Sequence, residues 1–291
     1  MLIKVSPVPP TDSTSYIADL VRREDRDRYL TALFAPPIER QALLDLYAFN
    51  IEVARIRDAT SEPLIGQMKL EWWRDIVATI YAGRDVPKGN PIVEGLQKTI
   101  NSHHLSRAHF DEFLAHRAED LAEDAPKDLL SLESYAEGTS ARLTWLALEI
   151  LEVRDEESFA AARHVGIAWA LTGIMRAVLF HARNNRIMLP QDLMNERALA
   201  GQDALRKKNA AKISEVIAKI GTVARVHLDK AAERQKRVDR KAIPALLPAV
   251  LADQYLKGSA KWGYDVFDPR HALQRPNIFK LTWSAVRGRY C

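Results

Sequence analysis

Cysteine is almost absent from this 291-residue chain, which contains only Cys291. A disulfide framework and a cysteine-rich zinc module are therefore excluded, and a reducing compartment is favoured. Glycine and proline, at 12 and 14 residues, are too few for a collagen-like or low-complexity chain. The net charge of +4, from 42 basic and 38 acidic residues, is too small a bias to indicate a nucleic-acid partner.

Long apolar runs and targeting signals are also missing. The longest strongly apolar stretch, 165–175, is followed by Arg176, whereas a membrane-spanning helix needs about 20 such residues. The segment 1–10 has neither the apolar core of a secretory signal nor the arginines of a mitochondrial transit peptide. We therefore expect a cytoplasmic protein, with a peripheral position at the inner membrane left open.

The hydrophobic pattern is typical of α-helices. Within 43–56 and 68–81, apolar residues recur at three- and four-residue steps, which predicts helices with a buried face. Prolines fall between such segments, and alternating strand patterns are scarce. We predict eight to twelve helices in one all-α domain over residues 25–291, preceded by an N-terminal extension over residues 1–24.

Most common catalytic and metal motifs are missing. The chain has no glycine-rich phosphate loop, no nucleophile elbow around a serine and no zinc-protease helix motif. His109 and His116 would share a helix face, but no ligand set with metal spacing surrounds them. Asp120 and Asp124 form an Asp-x-x-x-Asp spacing that Asp128 continues. We interpret it as a solvated acidic patch, and it is the one feature that would support a metal site.

Aromatic residues predict two surface contacts. Trp72 and Trp73 are adjacent, so a helix cannot bury both on one narrow stripe, and one should face a second layer or a partner. The last part of the chain interleaves aromatic and basic residues, which is compatible with a membrane surface or a partner. The residues concerned are Arg275, Lys280, Trp283, Arg287, Arg289 and Tyr290.

Several segments, taken in order, resemble the squalene/phytoene synthase family. The most informative are 46–58 with 70–74, and 165–177 with 186–190. Weaker matches lie at 34–40, 244–248 and 263–267. The resemblance implies a single-domain helical bundle of the isoprenoid (trans-prenyl) synthase type with a central cavity. It also implies an enzyme that condenses two prenyl diphosphates head to head, with Mg²⁺ held by two Asp-rich motifs.

The resemblance also shows where this sequence departs from the family. The first metal motif falls on Ala54, Arg55 and Asp58, and the second on Ala177 and His181. Three of the four carboxylates at the ends of the motifs are thus replaced. This implies that the chain has no catalytic residue, no metal ligand and no cofactor. Mg²⁺ is expected only under the alternative of an active prenyltransferase.

The degenerate motifs are similar to those of a subgroup that includes a mitochondrial complex I (NADH dehydrogenase) assembly factor. The segments 49–54, 135–139 and 174–177 carry this similarity. It implies a bacterial pseudoenzyme that acts in complex I assembly, in lipid binding, or in both. The implied partners are a respiratory-complex subunit, an isoprenoid or lipid ligand, and a peripheral membrane contact.

The resemblance also predicts where an isoprenoid or lipid ligand would bind, at the wall and mouth of the central cavity. The predicted cavity or head-group residues are Tyr47, Ala54, Arg55, Arg57, Asp58, Gly173, Arg176, Ala177, His181, Arg183 and Arg186. Two outcomes remain open. Small residues such as Gly173 enlarge the cavity for a lipid, or Trp169 and Phe180 fill it and leave only a helical scaffold.

Overall fold

A computed structural model describes residues 13–60, 62–122, 124–184, 186–200 and 202–291. Within these residues the chain is helical and contains no strand, as the sequence predicts. The α-helices are α1 (Ser13–Glu24), α2 (Arg26–Ala32), α3 (Pro37–Ala54), α4 (Pro63–Tyr81), α5 (Pro91–His103), α6 (Arg107–Arg117), α7 (Leu129–Ala136), α8 (Arg142–Ile150), α9 (Glu156–Arg183), α10 (Gln191–Glu196), α11 (Ala210–Ala232), α12 (Ile243–Leu246), α13 (Pro248–Lys261), α14 (Arg270–Leu273) and α15 (Ile278–Val286). The described residues thus form more helices than the eight to twelve predicted. The excess arises because α10, α12 and α14 have only six, four and four residues, too few to show a hydrophobic period.

Helix α3 is one of the most deeply buried elements. Pro36 and Pro37 begin it, because proline at the first helical position needs no amide hydrogen-bond partner. The helix ends at Ala54, and Arg55 to Ala59 form a turn. The segment that corresponds to the first metal motif therefore lies at and beyond the end of a helix.

Helix α9 is the longest helix and the centre of the bundle. Asp155 caps its start by accepting a hydrogen bond from the Ser158 amide, and Glu156 and Glu157 oppose the positive end of the helix dipole. Helices α7, α8, α11 and α13 pack around it. By length and composition α9 is also apolar enough to cross a membrane. Because α9 is surrounded by four other helices, its apolar composition is explained by its place in the hydrophobic core.

Helix α1 falls within the predicted N-terminal extension, whose residues 1–12 lie outside the described part of the chain. Ile17, Leu20 and Val21 are buried, and α1 packs against α3 and α5. Residues 13–24 therefore share the hydrophobic core with the rest of the bundle.

The adjacent tryptophans of α4 separate as their spacing predicts. Trp73 is buried and meets the Phe49 ring edge-on at a centroid distance of 5.1 Å. Trp72 stays 40% exposed.

A close helix contact fixes α9 against the π-helical turn Glu137–Ala141, which joins α7 to α8. A Cβ atom added to Gly166 would lie 2.4 Å from the Cα of Ala141. Only glycine allows the two backbones to approach so closely.

Candidate functional site

The predicted site residues Gly173, Arg176 and Ala177 lie on a face of α9 that is not buried in the core. Most of this helix is buried, but Gly173 is exposed, and Arg176 and Ala177 are half-buried. A Cβ atom added to Gly173 would have no neighbouring heavy atom within 4 Å. Phe180, two turns beyond Gly173, is 53% exposed. The small residues thus leave space in front of this face, and Phe180 does not fill it.

Arg28 lies between this face of α9 and α3. Its guanidinium carbon is 5.8 Å from the ring centroid of Tyr47 and 5.8 Å from that of Trp169. The guanidinium donates a hydrogen bond of 2.8 Å to Asp25. Burial raises the pKa of the Tyr47 hydroxyl to about 12, so that this predicted wall residue stays neutral. The two facing helices are therefore bridged by a cation that belongs to α2.

Arg176 is committed to a second intramolecular contact. Its guanidinium carbon lies 3.7 Å from the Tyr255 ring centroid, and one nitrogen is 4.0 Å from an Asp27 oxygen. The Tyr255 hydroxyl donates a hydrogen bond of 2.8 Å to Asp27. Burial raises the pKa of Asp27 because it outweighs this hydrogen bond and the arginine charge. These side chains border a cavity of about 270 Å³ that Gln274 also lines.

Asp120 does not belong to a solvated acidic patch, and that prediction is wrong. The 3₁₀ turn Ala118–Leu121 directs it inward, and it is 4% exposed. It accepts hydrogen bonds from the Tyr135 hydroxyl at 2.6 Å, Arg186 at 2.5 Å and Arg117 at 3.1 Å. Burial acts to raise the pKa of Asp120, but the two guanidinium groups outweigh it and lower that pKa.

The remaining predicted cations surround His181 at the end of α9. Arg57 donates hydrogen bonds of 3.0 Å to the carbonyls of Asp120 and Ala122, which ties the loop after α3 to the 3₁₀ turn. Burial, followed by the Arg186 charge, lowers the pKa of His181 to about 4, so its imidazole is neutral at pH 7. Its buried Nδ1 atom has no hydrogen-bond partner among the described residues.

The other predicted positions are distributed around this cluster. Asp58 is exposed and close enough to His181 to favour its protonated form. Arg55 forms an ion pair with Glu24 of α1. Ala54 is half-buried at the last position of α3, and Arg183 is exposed at the last position of α9.

These residues do not fit the Mg²⁺ sites that the resemblance implies. Mg²⁺ prefers oxygen ligands, several of them carboxylate or phosphate oxygens. At the two motifs only Asp58 remains, with Arg57 beside it and Arg186 near His181. Asp120 is already neutralised by two arginines. Among the described residues, no group of three or more histidine, cysteine, aspartate or glutamate side chains is placed to hold a metal ion.

Sequence reasoning missed the residues that organise the site. Arg28, Arg117 and Tyr135 were not predicted, although Asp25 and Arg28 have the spacing of a helical ion pair. Tyr135 lies within a segment used for the subgroup resemblance, but its contact with Asp120 depends on the tertiary fold.

Comparisons with known proteins agree with this architecture. The family model for squalene/phytoene synthase matches residues 21–277. "NADH dehydrogenase (ubiquinone) complex I, assembly factor 6" of Bos taurus is 33% identical over 278 residues, covering 94% of this chain and 82% of the relative. Presqualene diphosphate synthase of Rhodopseudomonas palustris is 23% identical over 229 residues, covering 78% of this chain and 80% of that enzyme. A crystal structure of a dehydrosqualene synthase in complex with a ligand has a TM-score of 0.79 at 19% identity, covering 94% of this chain and 95% of the other. The chain belongs to the squalene/phytoene synthase family.

Proposed function

We propose that this protein is a non-catalytic member of its family that assists the assembly of respiratory complex I. The proposal is supported by the residues Ala54, Arg55, Ala177 and His181, which stand at the positions that the resemblance matches to metal-binding carboxylates. Without those oxygens there is little to hold the Mg²⁺ that neutralises a leaving diphosphate. The relatives named as complex I assembly factors, at about 33% identity over most of the chain, supply the assembly role.

The contacts of the arginines support a structural role for the degenerate site. Arg57 and Arg186 both contact the Asp120 segment, and Arg55 pairs with Glu24. Side chains so engaged hold α1, the loop after α3 and the end of α9 together. In a diphosphate-binding site they would instead be directed at the ligand.

The assembly role can be tested by complementation in a host that lacks its own relative of this protein. We expect the wild-type chain to restore complex I activity, and Asp58→Ala to restore it to the same extent. The host's own relative serves as the positive control. The assembly role is contradicted if that control restores activity and the wild-type chain, present at equal abundance, does not.

A lipid or isoprenoid ligand is the second part of the proposal. The space in front of Gly173 borders the half-buried ring of Trp169 and the small Ala177 side chain, which gives it an apolar wall. Apolar concave surfaces with a few polar groups are typical of ligand sites. The ligand-bound dehydrosqualene synthase of the same fold makes an isoprenoid the first candidate to test.

This ligand site can be tested with Gly173→Phe. A Cβ atom at this position has no neighbouring heavy atom within 4 Å, so we expect the substitution to preserve folding while its ring occupies the space. We expect calorimetric titration with farnesol to show at least about tenfold weaker binding than in the wild type. The matched control is Leu64→Phe on α4, which adds an aromatic ring at another exposed position. Equal affinity in Gly173→Phe and the wild type would place the ligand elsewhere.

An active prenyltransferase is the alternative function. It is favoured by the presqualene diphosphate synthase relatives and by the similarity of the fold to a ligand-bound synthase. Fold similarity alone does not carry function, however, because function depends on the residues of the site. The alternative requires Mg²⁺-dependent release of diphosphate from a prenyl diphosphate.

A further inference from the structure

The C-terminal helix α15 exposes a continuous apolar surface. Ile278, Phe279, Trp283 and Val286 are all exposed, Phe279 to 90%, and we call them the α15 apolar face. Their spacing places them on one side of a helix, whereas Leu281, the buried residue of α15, points to the opposite side. Isolated exposed apolar residues are ordinary, but a contiguous apolar patch indicates a contact surface.

Contacts at both ends of α15 fix this orientation. Before the helix, the Gln254 side chain donates a hydrogen bond of 2.6 Å to the Arg275 carbonyl. After it, the buried Tyr290 donates a hydrogen bond of 2.8 Å from its hydroxyl to the Ala231 carbonyl. Because these contacts hold α15 against the body of the protein, its apolar face cannot turn inward.

The end of the chain carries charge of one sign, but Asp268 pairs with Arg270 and Asp253 pairs with Lys280. From Arg270 to the end, the chain has five basic residues and no aspartate or glutamate. The guanidinium carbon of Arg287 lies 4.1 Å from the Trp283 ring centroid, at one edge of the apolar face. Arg289 is exposed one turn beyond the helix.

The apolar surface continues beyond the helix. Val286 also lines a groove of about 470 Å³, together with Phe34, Leu151 and Pro244. Arg240, Lys241, Glu39 and Glu152 lie at the same groove, and Lys241 pairs with Glu152. The exposed apolar area therefore extends from α15 onto the body of the protein, with charges of both signs at its edge.

We propose that the α15 apolar face docks onto an anionic lipid bilayer, with α15 lying in the plane of the interface. A helix with Phe and Trp on its apolar side and cations at its edge is the arrangement that binds a membrane surface without spanning it. Basic residues beside the apolar face are attracted by anionic headgroups. A protein partner is the competing occupant. Arg287 and Arg289, which form no ion pair with a described residue, favour the bilayer, because they complement a surface of uniform negative charge.

Vesicle co-sedimentation of the full chain tests this inference. The probes are vesicles of phosphatidylcholine alone and vesicles with about 30% phosphatidylglycerol. We expect the wild-type protein to bind the anionic vesicles at least about tenfold more tightly than the neutral ones. Combining Phe279→Ser with Trp283→Ser should weaken binding to the anionic vesicles by at least about tenfold. Arg287→Glu with Arg289→Glu should abolish the preference for anionic lipid.

The matched control combines Leu64→Ser with Met68→Ser, which removes two exposed apolar residues from α4. This variant should bind vesicles as the wild type does, and circular dichroism should show that all variants are folded. The inference is overturned if the wild type binds neither vesicle. It is also overturned if the Phe279 and Trp283 double variant retains wild-type affinity. Either result would leave a protein partner as the occupant of this face. These outcomes do not depend on the role in complex I assembly, which complementation tests separately.

Discussion

Replacing Asp120 by asparagine tests whether the site at the ends of α3 and α9 is held together by a buried ionic cluster. Asp120 is the one carboxylate shared by Arg117, Arg186 and the Tyr135 hydroxyl. Asparagine keeps the size of the side chain but removes its charge. The two guanidinium groups would then lie close together without this counter-charge.

The expected loss is large for a single isosteric change. Breaking a buried ion pair by removing one partner costs about 3–5 kcal/mol, because the remaining charge stays buried. Asp58→Asn is the matched control, since Asp58 is exposed beside the same cluster. Surface substitutions of that kind change stability by less than about 0.5 kcal/mol.

Urea unfolding followed by circular dichroism measures the difference. Asp120→Asn should lower the midpoint without changing the slope, and Asp58→Asn should leave both unchanged. Because the pKa of Asp120 is lowered in the folded state, its contribution to stability is present above the unfolded pKa of about 3.9. It is lost as the pH falls through the folded pKa. If Asp120→Asn were within about 0.5 kcal/mol of the wild type at pH 7, the cluster would not stabilise the site.

Three further predictions concern the packing and titration of the bundle. Gly166→Ala should lower the free energy of unfolding by about 1–3 kcal/mol, because the new methyl group meets Ala141; an unchanged urea midpoint would contradict this. His164 lies 2.9 Å from His227 between their Nδ1 atoms, and burial lowers its pKa to about 4. Stability should therefore fall as the pH drops from about 6.5 towards 4, and His164→Gln should flatten that dependence. A variant with an unaltered pH profile would refute the assignment. The pKa of Asp45 is raised by burial, and its hydrogen-bond partners Gln41 and Thr99 are neutral. Asp45→Asn should therefore raise the urea midpoint at pH 7, and a lower midpoint would show that the carboxylate is favourably paired.

The long helices and their buried faces could be predicted from the sequence. The apolar steps in 43–56 and 68–81 correspond to α3 and α4, and the adjacent Trp72 and Trp73 separate into an exposed and a buried ring. These features depend on residues only a few positions apart, and helical geometry alone determines which face of the helix each residue occupies. The replacement of the motif carboxylates stays a prediction from the resemblance.

The contacts of the site could not be predicted in the same way. Asp120 meets Arg186 across 66 positions of sequence and Asn50 meets Arg117 across 67, so no local pattern indicates these partners. The four-residue spacing of Asp120 and Asp124 predicts a solvated patch, because the inward turn of Ala118–Leu121 leaves no periodic pattern in the sequence. The same limit applies to the predicted ligand site. It includes Arg57, Arg176 and Arg186, and in the structure each of these side chains contacts another residue of the protein.

Turnover of a prenyl diphosphate tests whether the chain lacks prenyltransferase activity, as we propose. Folded protein would be incubated with farnesyl diphosphate, Mg²⁺ and NADPH, and the released diphosphate and extracted hydrocarbon would be quantified. We predict no diphosphate release above a control without protein. Mg²⁺-dependent release above that control, abolished by Asp58→Ala, would contradict the account and show that the chain is an active synthase.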